Sequence, residues 1–406
     1  MKFHSLALLA AGVTFSTLAP AQRLIVRLAP TSSPALVAAR YGLTLRDVTP
    51  GAPFALMTAT SGVEADLIQA RMAADPGVVW AEDDARVVAA EGQAKGQRPT
   101  PQKGSTLPSV GDRKKNLLAQ NAASLAKIRW NAALADRSGR TVRLAILDTG
   151  LSPAATGLWA KTDAATNAIE SGLPAYDTPR GTDSNRDGLI DGGTGHGTMV
   201  AGVADQVAPR VRFVIARVAD SDGEANAWSV VKGLAFAATN GAEVANVSLG
   251  SLARVPALSD TMDWCEERGL LVVAAIGNDG SRAACFPAGL SKVVCVGGLN
   301  VDATRAPFSN WEGTCDASAP SVAFASVWVD GGAATWSGTS FASPLVAAAF
   351  ADALRGTSGP QRPDRLRKLP KDTGGDLDRL NPKVKGEIGR LLDVEAMIRA
   401  LSGARA

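Results

Sequence analysis

Histidine is nearly absent: the 406-residue chain carries only His4 and His196. Two imidazoles exclude a multi-histidine zinc site, and the H-E-x-x-H zinc signature does not occur. A charge excess is missing as well. Lys and Arg number 42 against 39 Asp and Glu, a net +3 over a long chain, so nothing in the balance asks for nucleic acid or an anionic membrane. No run beyond the first residues approaches the roughly 18 apolar residues of a membrane span, and no internal repeat is visible. What is present is ordinary globular material, 46% hydrophobic and 20% charged, which argues against global disorder. The length suggests roughly two to three domains of about 150 residues each. The 41 glycines and 22 prolines imply many turns and close backbone approaches.

The N-terminus has Lys2, an apolar stretch Leu6–Leu18 and then Ala19-Pro20-Ala21. A charged start, an apolar segment too short to span a bilayer and an A-x-A cleavage signal define a secretory signal peptide over residues 1–21. Its removal takes His4 out of the mature chain. The expectation is an exported, soluble protein, extracellular or periplasmic. Residues 22–90 read as a small α+β unit, with strand-like Arg23–Leu28, a helically spaced Val63–Ala73 and a closing strand over Val78–Val88. Residues 91–127 are polar, aperiodic and rich in Gly, Pro, Lys and Gln, and are read as a linker.

From Ile128 to about residue 403 the pattern changes. Near-continuous apolar runs at Thr141–Asp148, Val211–Val218, Ala242–Leu249, Leu270–Gly277 and Val293–Leu299 alternate with helix-like stretches such as Ala227–Ala238 and Asp260–Arg268. Strands buried on both faces and separated by helices imply an α/β, three-layer domain around a mostly parallel sheet. Ligands then bind beyond the carboxyl ends of the strands.

Four positions there carry chemistry. Asp148 ends an apolar strand before Thr149-Gly150; it suits either a turn or a carboxylate that orients an imidazole. His196, in Gly195-His196-Gly197-Thr198, is the only imidazole left to act as a base, and its flanking glycines imply that backbone or substrate comes close. Asn278 follows Ala274-Ala275-Ile276-Gly277 and is either an Asx turn or an amide donor to an oxyanion. Ser340, in Ser337-Gly338-Thr339-Ser340-Phe341-Ala342-Ser343-Pro344, opens a helix-forming run. It is either a helix cap or a nucleophile beside unpaired N–H groups and the positive end of the helix dipole.

The order Asp148, His196, Asn278, Ser340, with these local contexts, resembles the subtilisin-like serine proteases (subtilases, peptidase S8), whose Asp, His, Ser order is characteristic. The likeness runs from about Ile128 to Ala400, with features similar to the proteinase K and aqualysin group, and residues 22–90 resemble the family's inhibitory, ferredoxin-like propeptide. It implies a secreted serine endopeptidase made as a self-processing precursor. Ser340 would attack the peptide carbonyl, His196 would shuttle the proton, Asp148 would orient His196, and Asn278 would donate to the oxyanion. Ser248, Leu249 and Gly250 resemble the edge that pairs with substrate backbone, and Ala275 and Gly277 the other wall of the S1 pocket. The implied partners are protein or peptide substrates and the chain's own propeptide, with no nucleic acid, no membrane, and a monomeric enzyme.

There are departures. Met199 stands where the family commonly has a second histidine, and the loop carrying a tight calcium site is missing after that helix. Asp183, Asn185, Asp187 and Asp191 have the spacing of an EF-hand calcium loop, with Gly188 at the sixth position but Thr194 at the twelfth; a structural calcium or a plain polar turn fits. No cofactor is required for the chemistry. Cys265, Cys285, Cys295 and Cys315 allow three disulfide pairings or four buried thiols. The resemblance implies Cys285–Cys315, which leaves Cys265–Cys295. Asp279 is either a rim carboxylate favouring a basic substrate residue or a solvated surface group. Two rival functions fit less well. A retired binding scaffold conflicts with the intact triad, and an esterase elbow needs G-x-S-x-G, where Ala342 now stands.

Overall fold

The computed structural model describes residues 22–59, 62–89, 102–103, 113–252 and 254–402. The expected signal peptide and most of the expected linker lie outside these residues. The chain divides into two compact units, one of residues up to 48 and 55–83, the other of 49–54 and everything from 84 onward.

The first unit runs β1 (Arg23–Leu28), α1 (Pro34–Arg40), β2 (Thr44–Val48), β3 (Phe54–Thr58), α2 (Gly62–Met72) and β4 (Val78–Asp83). Its sheet has the order β2-β3-β1-β4, with β1 antiparallel to β4 and β2 to β3. This is the β-α-β-β-α-β order of ferredoxin-like units. Leu24, Val26, Ala55 and Met57 from the sheet pack on Val37, Ile68 and Met72 from the helices. The strand expected over Val78–Val88 is broken after Asp83. Its second half, β5 (Arg86–Ala89), belongs to the other unit.

In the second unit, residues 113–127 correct the linker expectation. They form α3 (Arg113–Gln120) and α4 (Ala122–Lys127), and Leu125 lies in the same core as Ile128. Buried Asn121 fixes them: its Nδ2 donates to Gln206 Oε1 (2.7 Å) and to the Ala325 carbonyl (2.8 Å), and its Oδ1 accepts from the Ala325 N–H (3.0 Å). The run Arg113-Lys114-Lys115-Asn116 masks the apolar spacing that follows it.

The sheet consists of β6 (Arg143–Asp148), β7 (Thr162–Asn167), β8 (Arg212–Arg217), β9 (Val244–Val247), β10 (Leu271–Ala275), β11 (Val293–Leu299), β12 (Ala317–Pro320) and β13 (Arg390–Leu391). The order is β13-β12-β11-β10-β9-β6-β8-β7, and every pairing is parallel. The five expected strands are all present, and β9, β10 and β11 are buried along their whole length. β7, β12 and β13 were not expected. β7, at the edge, alternates half-buried and exposed small residues and lacks the apolar run of a central strand.

Four further helices matter: α5 (His196–Val207), α6 (Ala227–Thr239), α7 (Pro256–Glu267) and α8 (Thr339–Leu354). All sixteen residues of α8 are buried, which explains its almost uniform run of Ala, Val, Leu and Phe. Asp148 ends β6, Ser248 follows β9 and Asn278 lies just beyond β10, so the parallel sheet delivers all three at its carboxyl edge.

Candidate active site

His196 is the first residue of α5, and Gly195 caps that helix with φ +93°. A Cβ on Gly195 would run into the Trp328 ring, and one on Gly197 into the Gly150 carbonyl. The glycines therefore seat the start of α5 hard against the loop after β6. The result is a 2.6 Å hydrogen bond between His196 Nδ1 and Asp148 Oδ1, both side chains 1% exposed. The same oxygen also accepts the Thr149 N–H at 2.8 Å, so the turn and the orienting roles of Asp148 coexist.

Ser340 is the second residue of α8, whose cap is Gly338; it is not the helix cap. Its Oγ donates to the Ser248 carbonyl at 3.4 Å. Next to it, the Phe341 ring lies 5.7 Å from the imidazole, and Trp336 meets the imidazole edge-on at 5.5 Å. Asn278 Oδ1 accepts the Thr339 N–H at 2.8 Å. That is a long-range bond and not a local Asx turn. It fixes which end of the amide is carbonyl and turns the NH2 edge away from Thr339.

Sequence reading missed several residues that support these groups. Ser343 Oγ donates to Asn246 Oδ1 (2.6 Å), Asn246 Nδ2 to Ser248 Oγ (2.9 Å), and Ser248 Oγ to the Ser340 carbonyl (3.2 Å). Spacing offered a signal here: Ser343 is one helical turn from Ser340, and Asn246 shares a strand face with Ser248. Asp177, fully buried, had no such signal. Its carboxylate accepts the N–H groups of Gly195 (2.9 Å) and Thr198 (3.1 Å) and the Thr198 hydroxyl (2.6 Å). It thus anchors the N-terminus of α5, where a negative charge is favourable. Burial nevertheless pushes its pKa above the usual carboxylate range, opposed by those three bonds.

The substrate-edge residues are occupied. Leu249 and Gly250 pair antiparallel with Ala89 and Val88 of β5, and on its other side β5 pairs antiparallel with Glu224–Asn226. Arg86 Nε donates to Glu224 Oε2 at 2.5 Å. Ala275 ends β10, and Gly277, with φ +113°, leads into Asn278. Asp279 is half-buried, and its Oδ2 accepts Asn310 Nδ2 at 3.1 Å.

Two expectations are corrected. No disulfide joins the cysteines; all four are buried thiols. Cys285 Sγ faces Asn310 Nδ2 at 3.8 Å, while the thiol of Cys315 lies by the carbonyls of Ala317 (3.4 Å) and Cys295 (3.8 Å). Cys315 is thus turned toward Cys295. Hydrogen bonding between these two thiols, then burial, holds the Cys295 thiol well above its ordinary pKa. Burial pushes Cys285 up to about 12 and Cys265 higher still.

The calcium ligand set does not converge either. Among the described residues no three His, Cys, Asp or Glu side chains gather as a metal site would need. Asp183 accepts the N–H of Asp187 (3.0 Å), as does Asn185 (2.9 Å), and Asp187 accepts that of Leu189 (2.8 Å). Asp191 turns away to the N–H groups of Arg180 (2.9 Å) and Gly181 (2.8 Å) and the Ser221 hydroxyl (2.6 Å). Burial raises the Asp191 pKa, but these bonds outweigh it and hold the carboxyl below its usual range.

The family model of the subtilases matches residues 139–386. The chain belongs to the subtilase family. Subtilisin BL of Lederbergia lenta is 34% identical over 223 residues, 53% of this subtilase and 76% of that protein. Alkaline elastase YaB of Bacillus sp. strain YaB is 33% identical over 219 residues, 52% of this chain. The match spans about half, 53%, of alkaline elastase YaB's own length. A cold-adapted subtilisin-like serine proteinase superposes with a TM-score of 0.55 at 26% identity, over 64% of this chain and 91% of that one. Fervidolysin from Fervidobacterium pennivorans shares the fold over 95% of this subtilase and 62% of its own chain, with a TM-score of 0.70 at 20% identity. Among the described residues no helix is long and apolar enough to cross a membrane.

Proposed function

We propose that this subtilase is an exported serine endopeptidase made as a precursor that cuts off its own N-terminal unit. The observation that carries the reading is the buried Asp148–His196 bond beside helix-borne Ser340. Asp148 holds the imidazole through Nδ1 and leaves Nε2 to act as the base. His196 takes the Ser340 proton as Oγ attacks the carbonyl carbon, then returns it to the departing amine. The oxyanion is received by Asn278 Nδ2 and by the Ser340 N–H at the start of α8, where the dipole favours negative charge. Every group named comes from one chain, and none needs a cofactor.

The position of β5 supports both the substrate class and self-processing. An extended segment hydrogen-bonded on both edges is how a polypeptide substrate adds to a sheet, through main-chain bonds that tolerate many side chains. A lipid ester has no such backbone. In this register Leu249 faces Ala89 and Gly250 faces Val88, and the residue just before Leu249 is Ser248, whose carbonyl accepts from the Ser340 hydroxyl. The cut this reading assigns is Ala90–Glu91, one residue beyond the paired Ala89, with the segment before it as the propeptide and a product-like inhibitor.

The test is the intact mass of the secreted protein, wild type beside Ser340→Ala. Loss of the N-terminal unit from wild type alone supports a self-processing triad. Retention by both overturns self-processing, and loss by both assigns the cut to another protease.

A further inference from the structure

We propose that Asn310 is the positioning residue of the oxyanion side of this site; the inference rests on the reading of Asn278 as oxyanion donor. Asn278 stands in an irregular stretch between β10 and Cys285, with no sheet or helix of its own to hold it. Backbone of that kind is mobile unless tied down, and an oxyanion donor works only when fixed in advance.

Asn310, on the connection from β11 to β12, supplies the ties and is fully buried. Its backbone N–H donates to the Gly277 carbonyl at 3.0 Å. Its Oδ1 accepts the N–H groups of Asp279 (2.9 Å) and Ser281 (3.1 Å) and the Ser281 hydroxyl (3.4 Å). Its Nδ2 donates to Asp279 Oδ2 at 3.1 Å. One side chain and its own backbone therefore clamp the residues on both sides of Asn278. The Thr339 N–H holds the Asn278 carbonyl end from α8, so the donating amide is fixed from the loop side by Asn310 and from the nucleophile's helix by Thr339.

The clamp leaves a distinct signature. Loosening it lets the Asn278 amide drift, which hurts the transition state and not ground-state binding, because the substrate backbone is held elsewhere, by Leu249 and Gly250. In subtilisin, a member of the same family, losing the oxyanion amide costs about 10²–10³ in kcat. A misplacement of about 1 Å can cost about 10².

The experiment is a double-mutant cycle on the mature enzyme with a peptide substrate: Asn310→Leu, near in size but without hydrogen bonds, Asn278→Ala, and the pair. Asn310→Leu is expected to lower kcat by about 10- to 10²-fold with KM within about twofold. In the Asn278→Ala background the same change should cost less than about threefold, since its target is gone. Equal losses in both backgrounds, or a loss carried by KM, overturn the inference. Should Asn310→Leu fail to fold, Asn310→Ser, which keeps one acceptor, enters the same cycle with the same criterion. An inactive wild type, or an Asn278→Ala enzyme with full kcat, overturns the reading of the site itself and the inference with it.

Discussion

The Nδ1 of His196 lies 2.6 Å from the Asp148 carboxylate, and both side chains are shut off from solvent. That contact orients the imidazole, with Nδ1–H donating to the carboxylate. Asp148→Asn should keep the shape and present the wrong partner. A kcat loss of about 10⁴ is expected, with the fold intact by circular dichroism. A loss below about tenfold would remove Asp148 from the triad.

An imidazole gains competence as a base as pH rises and it loses its proton. Peptide hydrolysis should therefore increase between about pH 5 and pH 8. A rate flat over that range counts against His196 as the base.

Asp177 makes stability pH-dependent. Its folded pKa is raised by burial, so the folded state prefers the protonated acid. The stability it contributes is full below the ordinary carboxylate pKa of about 3.9 and is lost as pH rises through the raised value. Asp177→Asn removes that slope. In denaturant melts from about pH 4 to pH 8, the variant should gain on wild type as pH increases. Parallel curves would show that Asp177 is ionised throughout.

The cleavage register is testable to the residue. Mass spectrometry of the first fragment released by the precursor should give a C-terminus at Ala90. A fragment ending at another residue would mean that the pairing of β5 with Leu249 and Gly250 does not report the reactive register.

The thiols offer a separate check. Four buried thiols, with Cys285 pushed up to about 12, should resist alkylation in the native protein and all react after unfolding without reductant. Two thiols or none after unfolding would restore the disulfide expectation.

Much of this protein was legible in its sequence because the information was local. Runs such as Leu270–Gly277 are apolar on both faces, and only a central parallel strand buries both. Asp148, His196, Asn278 and Ser340 each sit at a strand end or helix start that a short motif marks, and scarcity of histidine left one imidazole to choose. The glycines around His196 announced close approach before its cause was visible.

Tertiary structure alone decided the rest, since it depends on residues far apart in the chain. No local pattern links Asn310 to Asn278 or Asp177 to the start of α5; loop crossovers bring them together. Apolar spacing behind Arg113-Lys114-Lys115 did not outweigh the polar run before it, so α3 and α4 passed for linker. The EF-hand spacing was real, but the Asp191 carboxylate is taken up by the N–H groups of Arg180 and Gly181. Cysteine pairing is likewise a matter of which side chains the sheet register turns toward one another, and spacing along the chain carries no such direction.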